Sequence, residues 1–319
     1  MDQTERKIPA AGWWWASFDW ARSPFYYVIV IYVFSTYFAQ TVVGDPARGQ
    51  TLFSTIVTIA GAVMAVIAPL VGGYMDRGGA KKPVLALAIL VLALSSAGLS
   101  LVYPGRPSAI PLAMTLLVIA GCCYSISELF HNALLPAAGN ARQVPAISGL
   151  GLSAGSAGAV LLLTATLYLT RNPPAGMTEA DVARLSGLAC GIWMLLFMAP
   201  FFRFMPDLPG AAGRWRGVSP WPESLNILRT VKALFGDFPN VMRFLVARMI
   251  FMDGLTALFA ITAVYTAGAL GWDRSETAAM GILATIAAVL GGFLGSWLDR
   301  RFGPRNAIIG ELFTITAIF

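Results

Sequence analysis

Eight runs of mostly apolar residues follow one another along this chain, at 23–43, 51–74, 84–102, 109–135, 146–170, 182–204, 241–267 and 276–298, and a ninth opens near 306. A helix needs about 20 such residues to cross the roughly 30 Å hydrocarbon core of a bilayer. Inside hydrocarbon every backbone N–H and C=O must find its partner within the protein, which leaves helices and closed barrels as the spanning structures. The runs are long, tolerate glycine and lack the alternation of barrel strands, so the predicted fold is an all-α, polytopic membrane helical bundle. The ninth run reaches Phe319 after about 14 residues, short of the ~20 needed to span, and the expectation is a chain that stops inside a helix.

Charge narrows the class further. Of the 319 residues 57% are apolar and 12% charged, about half the charged share of a soluble domain. The net charge of +6 does not point to nucleic acid, because the basic residues are scattered between apolar runs and form no basic face. Cys122, Cys123 and Cys190 lie inside apolar runs without the spacing of a zinc site or redox pair, and they read as buried small hydrophobes. The first twenty residues hold acidic groups and tryptophans ahead of any long apolar run, unlike a cleavable signal peptide. The first span is expected to remain as an anchor.

An N-terminus in the cytoplasm places 17 of the 22 Lys and Arg on the cytoplasmic side, leaving Arg48, Arg106, Arg171, Arg184 and Arg274 opposite. The positive-inside rule selects that orientation. Trp13, Trp14, Trp15, Trp20, Tyr26 and Tyr27 crowd the entry to the first span, where aromatic residues anchor a helix at the headgroups. No organelle signal is visible, so the expected location is a bacterial inner (plasma) membrane.

The longest hydrophilic stretch, 206–240, divides an N-terminal six-helix bundle at 1–205 from the opening of a second bundle at 241–319. Within it Ser219 and Pro220 read as a helix cap and first-turn proline. Leu225, Leu228, Val231, Leu234 and Phe235 then recur at helical spacing with Arg229 and Lys232 on the other face, as in an interfacial amphipathic helix.

The loop after span two reads G-G-Y-M-D-R-G-G-A-K-K-P from Gly72, and the loop after span eight reads G-S-W-L-D-R-R-F-G-P-R from Gly295. An offset of 223 places Asp76 on Asp299, Arg77 on Arg300 and Lys82 on Arg305, which implies two bundles of one design. Carried to completion, the repeat ends near residue 428, about 110 residues beyond Phe319. Gly72 and Gly295 are expected to allow close helix approach, Asp76 and Asp299 to cap or pair at helix ends, and Arg77, Lys81, Lys82, Arg300 and Arg305 to hold the loops against the cytoplasmic leaflet. Together they read as a breakable latch, the bland alternative being two tight turns that obey the charge rule.

Six spans, a hydrophilic linker and the start of a second set, with a G-x-x-x-D-R loop after spans two and eight, resemble the major facilitator superfamily over the whole chain. The stretch W-W-A-S-F-D-W-A-R-S-P-F from Trp14 to Phe25 is similar to the opening signature of its vacuole-effluxer branch, which includes the autophagy-related vacuolar amino-acid exporter and many bacterial relatives. F-H-N-A-L-L-P from Phe130, S-G-L-G-L-S-A-G from Ser148 and M-D-G from Met252 are further echoes. Arg22 stands where that signature has Asn, and His131 where it has an aromatic residue. The resemblance implies a secondary transporter working by alternating access, with export of an amino acid or similar small metabolite.

Charged residues inside spans mark candidate pathways. Asp253 lies about 12 residues into the seventh run, roughly 18 Å deep at 1.5 Å per residue, where a carboxylate costs about 2.5–3.5 kcal/mol. It reads either as a proton or substrate site or as the ion-pair partner of Arg248. Glu128, His131 and Asn132 stand at i, i+3 and i+4, a polar stripe at the mouth of a cavity, with His131 either a gate or a hydrogen-bonded interfacial side chain. Asp19 and Arg22 read as a local salt bridge or as a gate and substrate contact. Proton movement is expected through Asp253 or Glu128.

Other motifs fall away on physical grounds. Glu-x-x-His evokes a carboxylate di-iron bundle, but that needs a second such motif and this chain has a single histidine, so neither a metal nor another cofactor is expected. G-L-S-A-G at Gly151 to Gly155 matches a nucleophile elbow and G-L-G-L-S-A at Gly149 a dinucleotide fingerprint, yet both need a preceding strand. Gly149, Gly151, Gly155 and Gly158 read instead as a small-residue face where helices pack or slide. No enzyme is expected, since no nucleophile, base and oxyanion group converge in a loop. The expected partners are the lipid bilayer, a small-molecule substrate and protons, with no nucleic acid. A proton-coupled sugar or drug carrier and a non-transporting scaffold stay open as alternatives.

Overall fold

The computed structural model describes residues 7–76, 78, 80–207, 235–268 and 274–318. Among the described residues the long elements are all helices, named here α1 (Ala10–Val42), α2 (Pro46–Asp76), α3 (Lys81–Gly98, continued by a 3₁₀ turn to Leu101), α4 (Ala109–Ala133), α5 (Val144–Arg171), α6 (Glu179–Phe204), α7 (Pro239–Gly268), α8 (Arg274–Phe302) and α9 (Pro304–Ile318). Helices α1 to α6 and the Met280–Phe302 part of α8 are long and apolar enough to cross a membrane. The chain is an integral, multi-pass membrane protein. Arg77 and the expected linker helix, from Ser219 and Pro220 through Arg229, Lys232 and Leu234, lie outside the described residues.

Helix α1 starts at Ala10, well ahead of the apolar run that opens at 23. Hydropathy alone misplaces its start because Asp19 and Arg22 depress the average, whereas in the fold they pair with each other. The aromatic cluster therefore belongs to the helix from its first turn onward. Trp13 stays 57% exposed and Tyr26 41%, but Trp15 is 4% exposed and belongs to the core, which corrects its reading as a headgroup anchor. Two π-helical stretches, Tyr26–Tyr32 and Phe38–Val42, interrupt α1. The N–H groups of Val33 and Val43 reach back five residues to the carbonyls of Val28 and Phe38, both at 2.9 Å. The first stretch follows Pro24, whose ring removes one donor from the regular ladder.

Lipid tails are as apolar as leucine, so helices associate in a membrane through close packing and polar ties more than through the hydrophobic effect. Helix α1 packs on α5 and α6, α3 on α4 and α6, and α2 on α4. Phe18, Phe25, Phe34, Phe38, Phe130 and Phe201 are fully buried between them, while Val57, Val66, Leu87 and Leu196 point outward as lipid-facing residues should.

Three ties fasten α3 to α6 along their length. Lys82 donates from Nζ to the carbonyls of Phe202 and Met205 at 2.9 and 2.8 Å. Ser96 Oγ donates to the Gly187 carbonyl at 2.9 Å, beside Gly191, where an added Cβ would sit 2.7 Å from the Ala93 carbonyl. At the far end Arg184 donates to the Ser100 carbonyl, pairs with Asp181 at 3.2 Å and lies over the Tyr103 ring at 4.0 Å. A capping box opens α6, with Thr178 N–H donating to the Asp181 carboxylate at 3.0 Å and Asp181 N–H to the Thr178 hydroxyl at 3.2 Å.

Helix α8 packs along α5. Gly149 and Gly292 bring the two backbones together: a Cβ on Gly292 would lie 2.7 Å from the Gly149 carbonyl, and Ser153 Oγ donates to the Val289 carbonyl at 2.8 Å. The small-residue face expected on α5 is in fact shared. Gly149 serves α8, whereas Gly151 and Gly158 serve α1, with added Cβ atoms 2.7 Å from the Trp15 ring and 2.6 Å from the Trp20 carbonyl.

Helix α2 ends at Asp76, and the left-handed Gly78 (φ +77°) turns the chain. Helix α8 continues three residues past Asp299 to Phe302, so the left-handed Gly303 (φ +79°) alone separates it from α9. Close helix approach at Gly72 is not found among the described residues, where a Cβ would meet nothing within 4 Å, and at Gly295 the nearest atom is Glu311 Oε1 at 3.7 Å. Both glycines lie on faces that no described helix covers tightly.

Candidate functional site

On α1, Trp15, Phe18, Asp19 and Arg22 stand at i, i+3, i+4 and i+7, and on α4 Tyr124, Glu128 and His131 stand at i, i+4 and i+7. Helical spacing puts each set on one face, and the two faces meet. Arg22 is 6% exposed. Its Nη2 lies 3.3 Å from Asp19 Oδ1 and its Nη1 3.7 Å from Glu128 Oε2, with Nη1 also 3.5 Å from the Tyr124 carbonyl. The guanidinium carbon stands 4.4 Å from the Tyr124 ring centre and 5.4 Å from that of Phe18, within cation–π range. Its Nε is buried without a hydrogen-bond partner among the described residues.

His131 is 1% exposed and is held from four directions. Its ring stacks on Trp15 at 4.0 Å and on Phe18 at 4.1 Å, and the edge of Phe201 from α6 closes a third side at 6.1 Å. Its Nε2 lies 2.9 Å from the Trp15 carbonyl, and Trp15 Nε1 donates back to the His131 carbonyl at 3.0 Å. A carbonyl oxygen only accepts, so Nε2 carries the hydrogen. Nδ1 then faces Asp19 Oδ1 at 3.8 Å. The other carboxylate oxygen of Asp19 faces Gly151 of α5, where an added Cβ would stand 2.9 Å from it.

An apolar cavity of about 230 Å³ adjoins this cluster between α1, α2 and α4, lined by Phe25, Tyr26, Val30, Phe53, Ile56 and Tyr124 among others. Tyr124 belongs to both, with its ring beneath Arg22 and a wall of the cavity. Glu128, whose side chain is 53% exposed, is the charged member most open to the surroundings.

Of the intramembrane residues expected from sequence, Asp19, Arg22, Glu128 and His131 come together. Asn132 is exposed and does not continue the His131 face; at one residue's turn it points away. Asp253 and Arg248 are exposed on α7, and no ion pair joins them among the described residues, so the ion-pair alternative is not met and neither joins the cluster. Lys81 is buried and Lys82 caps the end of α6, so neither lies free for the leaflet, because the last carbonyls of α6 need donors. Arg300 folds back onto Ser296 Oγ at 3.0 Å, and Arg305 is exposed. Sequence reasoning missed Tyr124 altogether, missed Trp15 as a clamp on His131, and read Gly151 only as part of a packing face. The i, i+4, i+7 register with Glu128 and His131 was the available sign for Tyr124.

The family described as "Vacuole effluxer Atg22 like" matches residues 50–319. Autophagy-related protein 22 from Eremothecium gossypii is 24% identical over 218 residues, 61% of this chain, and this chain spans 42% of that protein's length. Among solved structures, the major facilitator superfamily proton:xylose symporter XylE bound to 6-bromo-6-deoxy-D-glucose superposes with a TM-score of 0.60 at 15% identity, covering 92% of this chain and 68% of the other. The partially occluded inward open conformation of the xylose transporter XylE from E. coli gives a TM-score of 0.50 at 15% identity over 90% of this chain and 70% of that one. The fold is that of the major facilitator superfamily. These relatives are described as an effluxer and as transporters, not as enzymes.

Proposed function

Because the chain belongs to the family of vacuole effluxers like Atg22, we propose that it is part or all of a secondary transporter that moves amino acids or similar small metabolites by alternating access. The observation that carries this reading is Arg22, buried between carboxylates of two helices beside an apolar cavity. A guanidinium next to an accessible carboxylate suits the two charges of an α-amino acid, and the cavity beside them suits an apolar side chain. Buried charge in a span is costly and marks a pathway more often than a packing element. Export, an N-terminus in the cytoplasm, two bundles joined by a linker at 206–240, and proton coupling belong to the same proposal. The vacuole in the family's description gives no support to a bacterial inner-membrane location. The repeated loops at Asp76 and Asp299 are proposed to gate the side on which they lie.

The test is counterflow in liposomes, using a panel of radiolabelled amino acids and a panel of sugars. Accumulation of an amino acid that is lost in Arg22→Gln supports the reading. Accumulation of a sugar with no amino acid moved replaces it with the sugar-carrier alternative, to which the xylose-transporter fold lends a general precedent.

A further inference from the structure

We propose that Gly61 of α2 and Gly121 of α4 set the size of the apolar side chain that this protein accepts. The inference rests on the transport reading and takes it to two positions that no charge or motif marks. Both glycines line the cavity of about 230 Å³ beside the Arg22 cluster, and each stands midway along its helix, Pro46–Asp76 and Ala109–Ala133. Substrate sites of secondary transporters lie near the middle of the bilayer. The cavity is smaller than the roughly 300–1,000 Å³ of pockets that enclose a drug-sized ligand, and it suits one part of a substrate.

Glycine inside a helix is less stable than alanine, so its presence there calls for a reason. At Gly121 packing supplies part of one: an added Cβ would lie 3.2 Å from the Ala60 Cβ, where Cys122 Sγ also donates to the Ala60 carbonyl at 3.8 Å. At Gly61 an added Cβ would meet nothing within 4 Å, and packing among the described residues supplies none. Phe53, Val57 and Gly61 recur at i, i+4 and i+8, on one face of α2, and all three line the cavity. A side chain added at position 61 therefore takes its volume from that space. The other walls are mostly aromatic or aliphatic, and Ser125 turns its hydroxyl back onto the Gly121 carbonyl at 3.1 Å. Tyr124 joins the cavity to Arg22, whose guanidinium carbon stands 4.4 Å from its ring centre. A substrate whose charged end meets Arg22 extends its side chain past Tyr124 into the room that the two glycines leave.

The amino acids 2-aminobutyrate, norvaline and norleucine differ by one methylene each, and one methylene in an apolar pocket changes discrimination by roughly 10–200-fold. Counterflow in liposomes gives kcat/KM for each of the three. Gly61→Leu should lower the ratio of norleucine to 2-aminobutyrate about tenfold or more, and Gly121→Ala should lower it in the same direction. Val57→Ala, which widens the same cavity, should raise it. A structural defect alone lowers all three substrates together, so an equal loss across the series or an unchanged ratio in the glycine variants overturns the proposal while the transport reading stands. If Gly61→Leu does not fold, the opposed shifts of Gly121→Ala and Val57→Ala decide. A wild-type protein that moves none of the three removes the transport reading and this inference with it.

Discussion

Lys82 and Met205 are 123 positions apart in sequence, yet Nζ of the one donates to the carbonyl oxygen of the other at 2.8 Å, and to Phe202 at 2.9 Å. A cation at the end of a helix satisfies carbonyls that have no partner within it and opposes the negative end of the helix dipole.

Lys82→Met should therefore lower stability. A hydrogen bond from a charged group contributes about 1.5–3 kcal/mol, and partial exposure of Lys82 places the loss toward about 1–2 kcal/mol. Thermal unfolding in detergent should show a fall in Tm of a few degrees, and an unchanged midpoint would mean that water replaces the lysine at no cost.

Gly149→Val and Gly292→Val should both separate α5 from α8. A Cβ on Gly292 would stand 2.7 Å from the Gly149 carbonyl, closer than real contacts permit, and backbone cannot yield as a flexible side chain can. Disulfide trapping between cysteines placed at Ser153 and Val289 should drop several-fold in either variant, while the α3–α6 ties remain intact.

Trp15→Phe keeps an aromatic surface against His131 but removes the indole N–H that the His131 carbonyl accepts at 3.0 Å. The carbonyl keeps its other partner, the Leu134 N–H at 3.0 Å, so the loss is that of one hydrogen bond, about 0.5–1.5 kcal/mol. The variant should lose that much in chemical denaturation, and Trp13→Phe, at a site 57% exposed, should lose almost nothing.

Asp253→Asn and Arg22→Gln should part company in liposomes. Arg22→Gln leaves the Asp19 and Glu128 carboxylates without their cation and should abolish counterflow. Asp253 is exposed on α7 and makes no ion pair with Arg248 among the described residues, so its amide should retain most of the flux. Equal loss in both would return Asp253 to the pathway.

The spans could be read from hydropathy because the bilayer demands continuous apolar length, and α2 to α6 fall within a few residues of the expected limits. The start of α1 could not, since an averaging window counts Asp19 and Arg22 as two charges while the fold makes of them a pair at 3.3 Å. Glu128 and His131 stood out as rare residues in a span, but their meeting with Asp19 and Arg22 depends on which face of α1 turns to α4, which no single-helix pattern contains. Lys82 was misassigned for a related reason. Its partners are backbone carbonyls, and backbone leaves no mark in the letters. Gly149 announced a close neighbour without saying that the neighbour would be Gly292.

Because Lys82, Ser96 and Arg184 each reach from one to the other of α3 and α6, two spectroscopic probes fixed on these helices should keep one separation through whatever cycle the protein performs. Such a pair is an internal ruler. Against that constant length, a probe on α8 would report displacement as distance alone, free of the drift of the whole molecule in its bilayer.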